Sequence, residues 1–310
     1  EKELGFKSKL DIEDYGIGAF VERCKARVDR FADEISQQSM RLAYWMDWDD
    51  SYHTKSDENN YTIWHFLKKC HEKGLIYEGT DVMPWCPRCS AGLSEHEIVT
   101  DGYREIVHPG LFVKLPLLDR PNEALLVWTT TPWTLTSNVA AAVHPDLTYL
   151  RVRQDDQVLY LGKNLLSTLT GEHQVLGELA GAELVGLRYS GPFDELPAQQ
   201  GVEHRVIPWR EVDQDEGTGI VHIAPAFGDE DLNLGRQQGL AFVQPVDLQG
   251  VFTGNYSFAG KFVKDADEDI MADLEKRGLL FHRDVYRHTY PFCWRCDTPL
   301  LYYAKSSWYI

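Results

Sequence analysis

The chain has 310 residues, 43% of them apolar, which is enough to bury a sizeable core and long enough for two domains rather than one. Its 31 Lys and Arg against 48 Asp and Glu leave a formal net charge of −17, excluding broad electrostatic capture of nucleic acid and confining any such contact to a local, shape-directed one. No apolar run approaches the roughly 18 residues that span a bilayer, and the opening EKELGFKSKL lacks the apolar centre of a signal peptide. The expectation is a cytoplasmic protein with no membrane partner; the missing initial methionine suggests an excised piece.

Residues 11 to 43 carry a helical period: Ile17, Phe20, Val21, Cys24, Val28, Phe31 and Ile35 form one apolar stripe, the pattern of an amphipathic helix. A second helix is predicted from Ser56, a plausible N-cap, through Ile63, Phe66, Leu67 and Cys70, ending at Gly74. Cys24 and Cys70 fall on apolar faces and read as core. Between the helices lies an aromatic and acidic stretch, YWMDWDDSYHT.

After Pro84 the texture changes to short β-rich segments, LFVKLPL, ALLVWTTT, LTYLRVR, QVLYLG, HRVIP and GIVHIAP, separated by Gly, Pro, Asn and Asp. This predicts a barrel-like β domain, interrupted by helices near 229–238 and 267–277. From His288 the cysteine-and-proline style of residues 84 to 90 returns.

WCPRC supplies Cys86 and Cys89, and FCWRC supplies Cys293 and Cys296. Two residues between cysteines let both sulfurs face one ion, and four thiolates complete a tetrahedral zinc shell. The pairs lie some two hundred positions apart, against roughly 15 to 20 in a compact zinc ribbon, so a whole domain would be inserted between the halves with zinc clamping its base. Two unrelated turns, or a redox pair, are the alternatives.

Two polar constellations remain. WTTTPWTLTSN, residues 128 to 138, is either a plain strand end, since threonine is β-branched, or the hydroxyl-lined lip of a site. DEGTGIVHIAPAFGDEDL, residues 215 to 232, puts His222 on a strand and Asp229, Glu230 and Asp231 at a helix start. Read blandly these are a core histidine and acids favoured by a helix dipole. Read together with the threonines they line one cavity, in which a carboxylate pairs with an ammonium while hydroxyls orient water. No Gly-x-Ser-x-Gly elbow or Ser-His-Asp order accompanies them, which disfavours a serine hydrolase.

WCPRC, VWTTTPWTLTSNVAAAVHPD, GTGIVHIAPAFGDEDL and YPFCWRCDTPLLYYAKSSWYI, in this order, make nearly the whole chain resemble the isoleucyl-tRNA synthetases, class I enzymes with an editing insertion. Relatives that charge valine or leucine carry arginine where Thr131 stands. Two departures are Thr136 and Ser137, where the family usually has proline and a small residue before the asparagine. The ATP signatures His-x-Gly-His and Lys-Met-Ser-Lys-Ser are also absent, so ATP and Mg²⁺ would serve only the full-length enzyme.

The resemblance implies a mixed α/β fold, with a β-barrel-like editing domain inserted through a split zinc-binding base into part of a helical, Rossmann-type catalytic domain. The expected divisions are 1–83 helical, 84–99 and 286–304 the zinc base, 100–285 editing domain, and 305–310 catalytic domain again. It further implies hydrolysis of valine mischarged on the isoleucine tRNA. Asp231 would bind the α-ammonium, Thr129, Thr130 and Thr131 would position ester, ribose and water, Trp133 and His222 would form the wall, and Asn138 would hold the loop or the substrate. Cys86, Cys89, Cys293 and Cys296 would hold structural Zn²⁺; the partners would be the tRNA 3′ end and valyl or isoleucyl groups, the protein acting as a monomer. The competing expectation is a non-catalytic, zinc-stabilised module binding the tRNA 3′ end.

Overall fold

The structure, a computed structural model, describes residues 1–99 and 102–310. The expected domain boundary at residue 100 therefore lies outside the described residues. The chain forms two compact units, residues 1–80 with 306–310, and residues 81–305.

The smaller unit contains helices α1 (Leu10–Tyr15), α2 (Ile17–Arg41) and α3 (Asp57–Glu72). Two helices stand where the apolar period predicts one, because Gly16 at φ 98° takes a conformation that ends the first and starts the second. The Ser56 hydroxyl accepts from the Asn59 amide and caps α3, and Gly74 at φ 69° ends it. The stripe on α2 is covered only in part: Phe20 packs near Phe6, but Ile17 is 62% and Ile35 61% exposed. Cys24 shares that face and is exposed, which corrects its assignment to the core; Cys70 is buried as expected.

The larger unit carries most of the chain. In order it has β1 (Tyr77–Cys86, its first residues in the smaller unit), β2 (Ala91–Gly92), α4 (Glu95–Val99), β3 (Tyr103–Pro116), β4 (Glu123–Thr129), β5 (Ala140–Val143), β6 (Thr148–Gln154) and β7 (Gln157–Gly162). There follow β8 (Gln174–Ala180), β9 (Arg205–Pro208), β10 (Ile220–Ile223), α5 (Asp229–Gln238), α6 (Val263–Lys276), β11 (Leu280–Pro291) and β12 (Leu301–Tyr309, its last residues in the smaller unit). The main sheet runs β8-β6-β7-β4-β10-β5-β9, with β3 pairing both β4 and β11.

β4 is the pivot of this sheet. One edge pairs antiparallel with β3, while the other meets β7 at residues 123–125 and then β10 at Trp128. Two successive partners on one edge turn the sheet, which is how a curled sheet arises from mixed pairing. Both faces are buried: Leu125 and Val127 join one apolar cluster with Leu111, Val113 and Leu115, while Ala124 and Leu126 join another with Phe112, Leu159 and Leu161. The near-continuous apolar runs LFVKLPL and ALLVW reflect this burial on both sides. The fold is mixed α/β, with a curled β sheet as its largest element.

β11 is the strand that the sequence reading does not anticipate. It pairs with β3 along its length, from Leu280 opposite Val113 to Pro291 opposite Tyr103. α6 begins at Val263, four residues before the expected start, with Val263, Ala266 and Ile270 fully buried.

Candidate active site

Thr129 ends β4, and its neighbour β10 carries His222. Parallel pairing of Val221 with Trp128 brings the histidine beside the threonine run. Pro132 then opens a 3-10 turn, Pro132–Ser137, every residue of which is buried. The turn is held from below: Gln199 Nε2 donates to the Thr136 and Asn138 carbonyls at 2.7 and 3.1 Å. The Thr129 hydroxyl accepts from the Thr131 amide at 3.1 Å and fixes the bend between them. The Thr130 and Thr131 hydroxyls bond no other group among the described residues and are open to a ligand or water.

Hydrogen bonding fixes the state of His222. Asn138 Oδ1 accepts from the Tyr189 hydroxyl at 2.7 Å and its Nδ2 donates to the Ala140 carbonyl at 2.9 Å, so Nδ2 also faces His222 Nδ1, 3.3 Å away. The Thr134 hydroxyl donates to the Thr131 carbonyl at 2.8 Å and must therefore accept from His222 Nε2, 3.0 Å away. The imidazole is neutral, with its proton on Nε2. Burial pushes its pKa down to about 4. With both ring nitrogens engaged, His222 is a wall of fixed shape and not a base.

Asp231 enters from the first turn of α5. Its Oδ2 accepts from the Ala224 amide at 2.8 Å, while Oδ1 has no partner among the described residues. Gly228 precedes the helix because a Cβ there would lie 2.9 Å from the Asp231 carboxyl carbon. Burial raises the Asp231 pKa to about 6, opposed by the Ala224 amide and helped by Glu230.

A value raised above the ordinary 3.8 means that folding favours the protonated form. The ionised carboxylate thus costs stability in full above about pH 6, and the cost fades as pH falls towards 3.8. Recognition of a cation requires the ionised form. Binding of a cationic ligand in this cavity is therefore expected to strengthen as pH rises through about 6, measurable as a one-proton acid limb in affinity that Asp231→Asn abolishes.

These groups surround one cavity of about 350 Å³. Thr129, Thr130, Thr131, Trp133, His222 and Asp231 all line it; Asn138 does not, being fully buried behind His222. Lining residues that sequence reasoning missed include Thr134, Phe227, His288 and Tyr290. Thr134 lies within the same threonine-rich stretch, and Tyr286, His288 and Tyr290 alternate along β11 with the period of two that marks one strand face.

A second cavity, also of about 350 Å³, shares Thr129, Thr130 and His222 with the first and is flanked by Trp128 and Trp209. Gly217 at φ 63° lies so close to Trp128 that a Cβ would stand 3.1 Å from the indole. This second cavity is acidic, with Glu211, Asp213, Glu216 and Glu230 around it.

The four cysteines converge despite their separation in sequence. Their sulfurs all lie within 4.8 Å of one another, Cys86 and Cys89 each 3.5 Å from Cys296. The two knuckles match: Ser90 and Asp297, each following a second cysteine, both adopt positive φ. Tetrahedral thiolate binding at about 2.3 Å per bond places sulfurs about 3.8 Å apart, so this cluster could hold a metal ion. Thr298 favours the Cys296 thiolate through its hydroxyl and amide, bringing that thiol down to about 7 against burial, while burial raises Cys86 and Cys89.

The profile of the family described as tRNA synthetases class I (I, L, M and V) matches residues 1–310. The chain belongs to this family. It is 44% identical to an isoleucine–tRNA ligase of Dehalococcoides mccartyi (strain CBDB1), covering all of this chain and 34% of that protein. It is 43% identical to an isoleucine–tRNA ligase of Bacillus thuringiensis (strain Al Hakam), and 44% to an isoleucine–tRNA ligase of Streptomyces coelicolor, covering all of this chain and 30% of each relative. The chain thus spans about a third of the length of these curated relatives. A solved structure, "The crystal structure of GlLeuRS-CP1", aligns with TM-score 0.48 and 16% identity, over 56% of this chain and 96% of that one. Among the described residues no helix is long and apolar enough to cross a membrane.

Proposed function

We propose that the chain is the proofreading part of an isoleucine–tRNA ligase, hydrolysing valine wrongly esterified to the isoleucine tRNA. The observation that carries this reading is Asp231: a recessed carboxylate with one oxygen committed to a backbone amide and the other free, facing unpaired threonine hydroxyls across a small cavity. A purely RNA-binding module gains nothing from a carboxylate there, because phosphate would be repelled. An aminoacyl ester brings an α-ammonium, for which a desolvated carboxylate is the natural partner.

A second site is needed because one methylene is worth only about 1 to 3 kcal/mol to a hydrophobic pocket, the known case being this family's own choice between isoleucine and valine. Here His222, pinned by Thr134 and Asn138, and Trp133, set against Phe227 at 4.6 Å between ring centres, give walls that do not yield. Such walls admit the valyl side chain and exclude one more methylene.

The chemistry follows from position. Asp231 anchors the ammonium, Thr130 and Thr131 orient the ester and a water, and water attacks the acyl carbon. The bond from acyl carbon to ribose oxygen breaks, the ribose oxygen takes a proton, and free valine leaves. Catalysis is by proximity and orientation, with no covalent enzyme intermediate. The Trp128–Trp209 cavity, acidic and flat-walled, suits the terminal base and ribose rather than a phosphate. Asn138 acts by holding His222 and its turn. Zinc on Cys86, Cys89, Cys293 and Cys296 is structural, since four protein ligands leave no open position.

A non-hydrolysable valyl amide of adenosine is expected to bind more tightly than its des-amino analogue, by about tenfold or more, as measured by calorimetry. Asp231→Asn is expected to erase that difference; equal affinities for both analogues in the unaltered protein would refute the role of Asp231.

A further inference from the structure

Behind the cavity wall lie two charged groups without a hydrogen-bond partner among the described residues, the Lys264 ammonium and Oδ1 of Asp267. Both project from the first turns of α6, the helix that packs against the 3-10 turn of the threonine lip. Neither lines the cavity.

Lys264 Nζ lies 5.1 Å from the centre of the Tyr290 ring, whose hydroxyl is tied at its far end to the Leu300 carbonyl at 2.6 Å. Next to Tyr290 the His108 and His288 rings share a 3.0 Å hydrogen bond. Burial and then the Lys264 charge hold both histidines below their usual range, His108 at about 4. Asp267 points to the lip, where the Trp133 backbone favours its ionised form while burial, the larger effect, pushes it up to about 6. One stretch of helix therefore approaches two lining residues of the cavity, Tyr290 through Lys264 and Trp133 through Asp267.

Burying an ammonium without a hydrogen bond and a carboxyl with one oxygen unpaired is costly, and packed apolar side chains would hold a helix in place better. Support of the fold alone does not account for the choice of these residues. We infer that Lys264 and Asp267 are positioning residues that set the width of the hydrolytic cavity, and hence the largest acyl group it admits, by fastening its two walls to the same turns of α6. Lys264 acts through the face of Tyr290, where a desolvated cation is strongly attracted to the ring. Asp267 acts through the Trp133 backbone, and its attraction to Lys264 one helical turn away couples the two walls. The inference rests on the hydrolytic reading above.

The test compares hydrolysis of valyl-tRNA and isoleucyl-tRNA by the intact protein, by Lys264→Met and by Asp267→Asn, with Lys264→Arg as the conservative control and melting temperatures recorded for all. The expected result is a valyl-to-isoleucyl rate ratio at least tenfold lower in the Met and Asn variants, because isoleucyl cleavage appears, and a ratio retained in Lys264→Arg. Rates that fall together with the ratio unchanged, whether or not the melting temperature drops, would make both residues structural only and overturn the inference. If Lys264→Met does not fold, the near-isosteric Asp267→Asn decides alone. Should the unaltered protein cleave neither ester, the hydrolytic reading itself fails, and the inference with it.

Discussion

Asp231→Asn is expected to lower kcat/KM for valyl ester hydrolysis by roughly two to three and a half powers of ten, because removing one partner of a desolvated charge pair costs about 3 to 5 kcal/mol and each 1.4 kcal/mol is a factor of ten. The substitution is nearly isosteric, so the Gly228 contact and the helix start remain. It also removes the cost of holding a carboxylate ionised in a buried setting, and the melting temperature at pH 7 is expected to be unchanged or higher. Single-turnover kinetics with a thermal melt checks both halves. A rate within threefold of the unaltered protein would mean that the ammonium is bound elsewhere.

Cys86→Ser is expected to give the largest structural effect. Three remaining thiolates cannot close the tetrahedral shell, and structural zinc in small peptides contributes about 10 to 16 kcal/mol of folding energy. Leu93, Ile98 and Leu300 pack around the cluster and would retain part of the base, so the loss should be local and not total. Metal analysis should show bound zinc falling from one per chain to near none, with the melting temperature lowered and the β-type circular dichroism kept. Undiminished zinc content would show that the other three cysteines suffice.

The parts of this site that were legible in the sequence are those whose chemistry is local. Cys-x-x-Cys turns suggest a metal site through their local spacing, and the four sulfurs do converge into a cluster that could hold an ion. GTGIVHIAPAFGDEDL announces strand, break and helix through its glycines and proline, and α5 begins at Asp229 as expected. What was not legible depends on partners distant in sequence. Nothing near Asn138 says that Tyr189 will orient its amide, or that this will place it behind His222 and off the cavity surface. β11 was missed because HRDVYRHTYP mixes charge with aromatic residues; only its pairing with β3 makes it a strand and brings His288 and Tyr290 to the cavity. The α2 stripe shows the opposite limit: the helical period was right, but periodicity cannot tell whether anything covers the face, and Cys24 proved exposed.

The proposed editing role is decided by acylating the same isoleucine tRNA with valine and with isoleucine and measuring how fast this protein releases each. Rapid release of valine is expected, with little release of isoleucine beyond the uncatalysed rate. Release of both at equal rates would contradict the size-limited cavity, and release of neither, with the tRNA bound, would leave a binding module in place of a hydrolase.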